Sequence, residues 1–279
     1  MKSSLSKAGV ALTLTSGLDP LISEASHFAK RFDVPLKLIH AGTSKEESRA
    51  QIQEAADRLG ISHEEKILWN QTDPAEAVMS AASKEDIDLL IVGAYEGPVL
   101  GKRRFIGPVA QALARRAQCS LLIVAHPRLE EHRFKRVVAV TDFSDASKVA
   151  CEQALWLAEA DHAESLHVVS VHTVFMEARA RLGIQENSVA RTFKEEEQLM
   201  DAFLKNLPAH KVSVEGRVLR GTTGFAACDF AESVVADLLV LPSHHRLEGR
   251  ILPMVDWAIR ILPCTLWLVH DGPSWKQPM

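Results

Sequence analysis

The chain has 279 residues, 47% of them hydrophobic and 24% charged, with a formal net charge of −4. That length suits two domains of about 140 residues better than one, and the mild negative charge gives no electrostatic case for nucleic acid or an anionic membrane as a partner. No apolar run approaches a membrane span, and four widely spaced cysteines (Cys119, Cys151, Cys228, Cys264) without a CxxC pair predict buried thiols in a reducing, cytoplasmic setting.

Lys2 and Lys7 precede the mildly apolar run Ala8 to Leu14, a weak likeness to a signal peptide. Thr13, Thr15 and Ser16 interrupt the run and no small-x-small site follows before Asp19, so it reads as a first β-strand, Val10 to Leu14. Asp19-Pro20 opens a helix to about Phe32, Leu36 to His40 is a strand, and Ser44 to Leu59 carries Ile52, Ala55, Ala56 and Leu59 at helical spacing before Gly60 stops it. Glu65 to Trp69 is a more polar strand. Asp73-Pro74-Ala75-Glu76 supplies an N-cap, a proline at the first helical position and an early acid, which predicts a helix to Lys84. Leu89 to Val92 is a strand ending at Gly93, Pro108 opens a helix to Ala117, and Ser120 to Ala125 is a strand. The continuous apolar runs are those of parallel strands buried on both faces.

After a charged linker, Arg128 to Arg133, the same order returns. Strands are predicted over Val137–Thr141, Leu166–His172, Val212–Leu219, Asp237–Leu241 and Thr265–His270, and helices over Ser147–Ala160, Phe225–Ser233 and Asp256–Leu262. A long helical region, Val174 to Leu207, carries the run Lys194-Glu195-Glu196-Glu197, which reads as a solvated face. The halves register directly: Gln118 to Val124 on Pro263 to Val269, Asp88 to Val92 on Asp237 to Leu241, and His40 on His172. The expectation is an α/β chain of two tandem Rossmann-like domains, residues 1–128 and 134–272. Each is a mostly parallel five-stranded sheet with helices on both faces.

With Val138-Ala139-Val140-Thr141-Asp142-Phe143-Ser144 opening the second half, and Asp73 to Val78 and Asp88 to Gly93 in the first, the chain resembles a tandem universal stress protein over nearly its whole length. That resemblance implies an adenine nucleotide alpha hydrolase-like fold. It also implies, for nucleotide-binding members, an acid at the end of the first strand that holds the nucleoside and a Gly-x2-Gly-x9-Gly-Ser/Thr loop that holds the phosphates. The crevice at the strand ends, the backbone amides and the helix dipole suit such a ligand.

The sequence departs from that pattern in both halves. Gly97 and Gly107 keep the x9 spacing, but Gly93 to Gly97 is x3, Pro108 stands where Ser or Thr belongs, and Thr13 to Ser16 hold no acid. Two lost donors to a charged group, at about 1.5–3 kcal/mol each, amount to roughly two orders of magnitude or more in affinity. Lys102, Arg103 and Arg104 either face a phosphate or form a solvated basic loop. The second half has Asp142, either a ligand contact or a turn carboxylate ahead of Ser147, but its loop, Pro242 to Pro253, is shorter and nearly glycine-free. Pro253 and Pro108 mark the first helical positions of equivalent helices. Ser243, His244 and His245 sit at the loop tip, where they suit a weak anion or nucleobase site. No further ligand or oriented nucleophile accompanies them, so no metal and no catalytic residue is assigned.

The candidate ligand-binding set is therefore Gly93, Gly97, Gly107, Lys102, Arg103, Asp142, Ser243, His244 and His245. The expected function is a stress-response protein that acts by binding protein partners or a small ligand, without turnover. Its domains pair through the final strands of the two halves, which the family resemblance also implies, and a further homodimer stays open. A helix over 186–206 covers the crevice or serves an external partner. The alternative is an adenine-nucleotide (ATP or AMP) sensor or very slow ATPase using one residual site. A third likeness, of Thr15 to Pro20 to the SGGxDS loop of ATP-pyrophosphatase-like ligases, lacks a glycine and the final serine and leaves the repeat unexplained.

Overall fold

A computed structural model describes residues 5–42, 45–61, 64–69, 73–94, 106–181, 191–243 and 253–271. The first half runs β1 (Ala8–Leu12), α1 (Leu18–Phe32), β2 (Leu36–Gly42), α2 (Lys45–Leu59), β3 (Glu64–Trp69), α3 (Pro74–Lys84), β4 (Leu89–Gly93), α4 (Pro108–Arg116) and β5 (Ser120–Val124). The second runs β6 (Arg136–Val140), α5 (Asp145–Ala160), β7 (Ser165–Thr173), α6 (Val174–Arg181), α7 (Phe193–Lys205), β8 (Val214–Gly221), α8 (Phe225–Ser233), β9 (Leu238–Pro242), α9 (Pro253–Arg260) and β10 (Thr265–Val269). The strands form one ten-stranded sheet in the order β3-β2-β1-β4-β5-β10-β9-β6-β7-β8. Neighbours are parallel within each half, and β5 meets β10 antiparallel.

Both faces are buried along the central strands β1, β4, β5, β6, β9 and β10, as continuous apolar strands require, whereas the edge strand β8 is half-buried to exposed. Alternate residues divide between two layers. Val10, Leu122, Val137 and Trp267 pack beneath α1, α2, α5 and α7, and Leu90, Leu121, Leu239 and Leu266 beneath α3, α4, α8 and α9. The helices form where the apolar spacing demands, as in α1, where Leu18, Leu21, Ile22, Ala25, Phe28, Ala29 and Phe32 share the buried face. Asp73 caps α3 by accepting from the N–H groups of Ala75 and Glu76 at 2.9 and 3.2 Å, with Pro74 behind it. Pro108 likewise stands at the start of α4, after Gly107 as N-cap, and Pro253 begins α9.

The repeat extends to the turns. Asp88 accepts from the Ser6 and Lys7 amides at 2.8 and 3.3 Å, and Asp237 from the Lys135 and Arg136 amides at 2.8 and 2.9 Å. In each half a carboxylate just before the fourth strand thus fastens the lead-in to the first. Left-handed turn residues also recur in pairs, Asp33 (φ 53°) with His162 (φ 52°) and Asp86 (φ 53°) with Val235 (φ 51°).

Three expectations are corrected. Among the described residues the region Val174 to Leu207 holds two helices, α6 and α7; α7 starts at Phe193 because Thr192 and Glu195 build a capping box there, and the expected start at 186 lies outside the described residues. The acidic run is not simply a solvated face. Glu195 serves the cap and Glu196 is only 2% exposed. The registration of His40 on His172 slips by two residues. Leu12 pairs with His40, but continuing the β6–β7 register (Val140 with Val169) sets Ser170 at the place of His40 and His172 at that of Gly42. Since side chains alternate with a period of two, this slip leaves the same face buried.

The halves are joined at the middle of the sheet, where Leu266, Trp267 and Leu268 pair with Ile123, Leu122 and Leu121. Above this seam Phe28 and Phe32 of α1 meet the fully buried Trp267 edge-on at 5.9 and 5.7 Å, and Phe32 packs on Trp156 of α5 at 4.4 Å. Beside the rings Arg31 pairs with Asp161 at 3.1 Å, with side chains 9% and 2% exposed. Asp161 also accepts from the Phe134 amide at 2.8 Å, and Arg31 donates to the His132 carbonyl. Burial pushes the Asp161 carboxyl up, against the pull of the Phe134 amide and Arg31. The pair therefore adds less than its geometry suggests, but neither partner tolerates loss of the other.

Asp161→Ala, which strands the buried Arg31, is expected to cost about 3–5 kcal/mol in urea denaturation. Val235 is a β-branched residue in the left-handed region, where an L-residue is strained. Val235→Asn is expected to raise stability by about 1 kcal/mol in the same measurement.

Candidate functional site

Strand order reverses between β1 and β4 in the first half and between β6 and β9 in the second, so each half has a crevice outside the carboxyl ends of those strands. Because β5 and β10 run antiparallel, the two sets of carboxyl ends point in opposite directions, and the crevices open at opposite ends of the sheet. The candidate residues therefore divide: Gly93 and Gly107 belong to one crevice, Asp142 and Ser243 to the other. Gly97, Lys102, Arg103, His244 and His245 lie outside the described residues.

In the first crevice Gly93 ends β4, and the next residue, Ala94, donates to Val124 O at 2.9 Å. Among the described residues a Cβ at Gly93 would meet only the Leu21 side chain, at an ordinary 3.4 Å. Gly107 caps α4 in an extended conformation (φ −65°, ψ 163°), and no side chain caps that helix. The β1 register sets Thr13 at the place of Asp142. His40 is buried, and its Nδ1 lies 3.0 Å from Leu12 O.

In the second crevice Asp142 follows β6 and is exposed. Its Oδ1 accepts from the Ser144 amide at 3.1 Å and from the Ser144 hydroxyl. Ser144 is the N-cap of α5, accepting from the Ser147 amide at 3.2 Å. Asp142 thus takes part in the turn that starts α5. Phe143 between them is left-handed (φ 64°), and its ring meets Phe203 of α7 at 5.9 Å. Pro242 stands where the first half has Gly93. Ser243, 7% exposed, donates its amide to Val269 O at 2.7 Å, as Ala94 does to Val124.

The composition-level reading missed a buried polar group at the end of β7. His172 Nε2 lies 2.9 Å from Glu177 Oε2, which also accepts from the Phe193 amide at 3.1 Å. Glu196 lies 3.4 Å from the Ser170 hydroxyl and 3.6 Å from Arg191. Burial pushes its carboxyl up, and Arg191 pulls it back in part. The available signal was periodicity, since Phe193, Glu196, Met200 and Phe203 share one face of α7 and the second member is a glutamate.

The four cysteines are buried and outside any disulfide; burial pushes the Cys119 thiol up to about 12 and raises those of Cys151 and Cys264, which keeps these three chemically quiet. Among the described residues no cluster of His, Cys, Asp and Glu is arranged to hold a metal, and no helix is long and apolar enough to cross a membrane.

The sequence profile of the universal stress protein family matches residues 7–125 and again 133–270. The chain belongs to the universal stress protein family. It is similar in fold to a protein of unknown function from Pseudomonas aeruginosa PAO1, at 16% identity and a TM-score of 0.68, over 96% of this chain and 93% of that one. It is likewise similar to a universal stress protein from Archaeoglobus fulgidus DSM 4304, at 16% identity and a TM-score of 0.64, over 95% and 98%. No curated protein matches the sequence.

Removing the N-cap of α5 is a direct test of the turn that holds Asp142. Ser144→Ala is expected to lower stability by about 1 kcal/mol in chemical denaturation.

Proposed function

We propose that this universal stress protein acts by binding and interaction, without turnover, as a single chain that carries both partners of a dimer. The observation that carries the reading is the antiparallel β5–β10 pair, which uses up the final strand of each half inside one polypeptide. The functional units are residues 1–128 and 134–272, and the setting is the cytoplasm, in keeping with four buried thiols outside any disulfide. Protein partners or a small ligand are engaged from the two opposed crevices. Nucleotide affinity is low, since Pro108 and Pro242 stand at phosphate-loop positions and Thr13 replaces the acid in the first half. Gly93, Gly107, Asp142 and Ser243 are the described residues assigned to these crevices, with Gly97, Lys102, Arg103, His244 and His245 assigned from the sequence.

A second reading, an adenine-nucleotide sensor or very slow ATPase, has one observation in its favour: Asp142 remains exposed at the end of β6. Thermal unfolding with millimolar ATP or AMP separates the two. Binding and interaction without a working nucleotide site predicts no saturable rise in Tm and no phosphate release above background with magnesium ATP. A saturable rise that Asp142→Ala abolishes would establish the sensor.

A further inference from the structure

The two crevices differ in what crosses them. Between β2 and α2 the first half has only residues 43–44, whereas between β7 and α7 the second half has residues 174–192, including α6. Residues of α6, and those leading into α7, reach the carboxyl ends of β6, β7 and β8 and are fastened there. Glu177 joins the buried His172 of β7 to the Phe193 amide. The Phe193 ring stands edge-on to the His172 ring at 5.6 Å, and the guanidinium of Arg220, at the end of β8, lies over it at 3.8 Å. Glu196 reaches the Ser170 hydroxyl of β7, and Arg191 lies over the ring of Phe143, beside Asp142, at 5.8 Å. Ser170, His172 and Glu196 are each only 2% exposed.

These contacts reproduce a bound ligand's chemistry with the chain's own side chains. A flat ring is held between a perpendicular imidazole and an overlying guanidinium, as aromatic and cationic groups hold a base. A carboxylate is desolvated beside a serine hydroxyl and an arginine. All of this lies on the β7 side of the β6/β9 reversal, from the end of β8 to Arg191, which lies over Phe143, the residue after Asp142.

We propose that Glu177, Arg191, Phe193 and Glu196 are a built-in occupant of the second crevice, so that this half takes a nucleoside-class ligand only when they are displaced. The inference rests on reading the crevices as ligand positions. It makes the two halves unequal: the second has Glu177, Arg191, Phe193 and Glu196 at its strand ends, and the first has only residues 43–44 between the equivalent strand and helix.

The test is equilibrium dialysis of the full chain against AMP, with hydrogen exchange to establish which segments have loosened. The proteins are the wild type, Phe193→Ala/Glu196→Ser, and that double variant with Asp142→Ala. Arg191→Ala, whose side chain is 27% exposed, serves as a milder release if the double variant fails to fold. The wild type is expected to show no binding that depends on Asp142. The loosened variant is expected to gain an AMP site at least tenfold tighter than any in the wild type, lost again on Asp142→Ala. Asp142-dependent binding in the wild type, with residues 191–196 still protected, would overturn the inference. So would a loosened variant that gains no such site. If AMP then binds in a manner insensitive to Asp142→Ala, only the inference fails. If AMP binds nowhere, the reading of the crevices as nucleoside positions fails with it.

Discussion

Leu121, Leu122 and Ile123 lie between two strands of opposite direction, and most of the molecule's larger features depend on that arrangement. A five-stranded parallel sheet that ended at β5 would present an apolar edge with a full row of unpaired amides and carbonyls, which proteins avoid leaving open. Pairing with β10 removes that edge from both halves at once. It also gives Trp267 a site beneath α1 of the other half, where Phe28 and Phe32 surround it. The indole N–H has no hydrogen-bond partner among the described residues, so shape and apolar area hold this ring.

The same antiparallel step determines where the two crevices open. Two parallel sheets joined edge to edge in opposite directions cannot merge their crevices, so Gly107 and Asp142 serve opposite ends of the molecule. The two ends differ in their residues. The first has Gly93 and Gly107, with Thr13 at the place of Asp142. The second has Asp142, which accepts from Ser144, and Phe193 and Glu196 at the neighbouring strand ends. Burying Glu196 and His172 together carries a desolvation cost that an apolar plug would avoid, and the hydrogen bonds to Ser170 and Glu177 offset it.

Much of this was legible in the residues, for physical reasons. Pro74, Pro108 and Pro253 could only begin helices, Asp73 could only precede one with profit, and the continuous apolar runs could only be doubly buried strands. The matched runs around Cys119 and Cys264 exposed the repeat and pointed to the final strands as the joint. What escaped was hidden by periodicity or composition. A two-residue slip of β7 preserves the buried face, so His172 appeared to match His40 when its partner in space is Gly42. Yet a Cβ at Gly42 would collide with His40 Nε2, so the His40 ring reaches that place from two residues back. Glu196 was concealed in an acidic run whose neighbours do face solvent, and only its spacing from Met200 marked it as inward. Gly97, Lys102, Arg103, His244 and His245 lie outside the described residues, in stretches whose sequence gives composition but no periodicity.

The central claim is that the halves form one continuous sheet through β5 and β10, and residue-level hydrogen exchange on the intact chain tests it most directly. The account predicts that the amides of Leu121–Ile123 and Leu266–Leu268 exchange as slowly as those of Leu90–Val92 in the middle of the first half's sheet, and only on global unfolding. Fast exchange of the amides of β5 and β10 that face each other, with β4 and β9 still protected, would mean that the halves fold as separate sheets, and would contradict it.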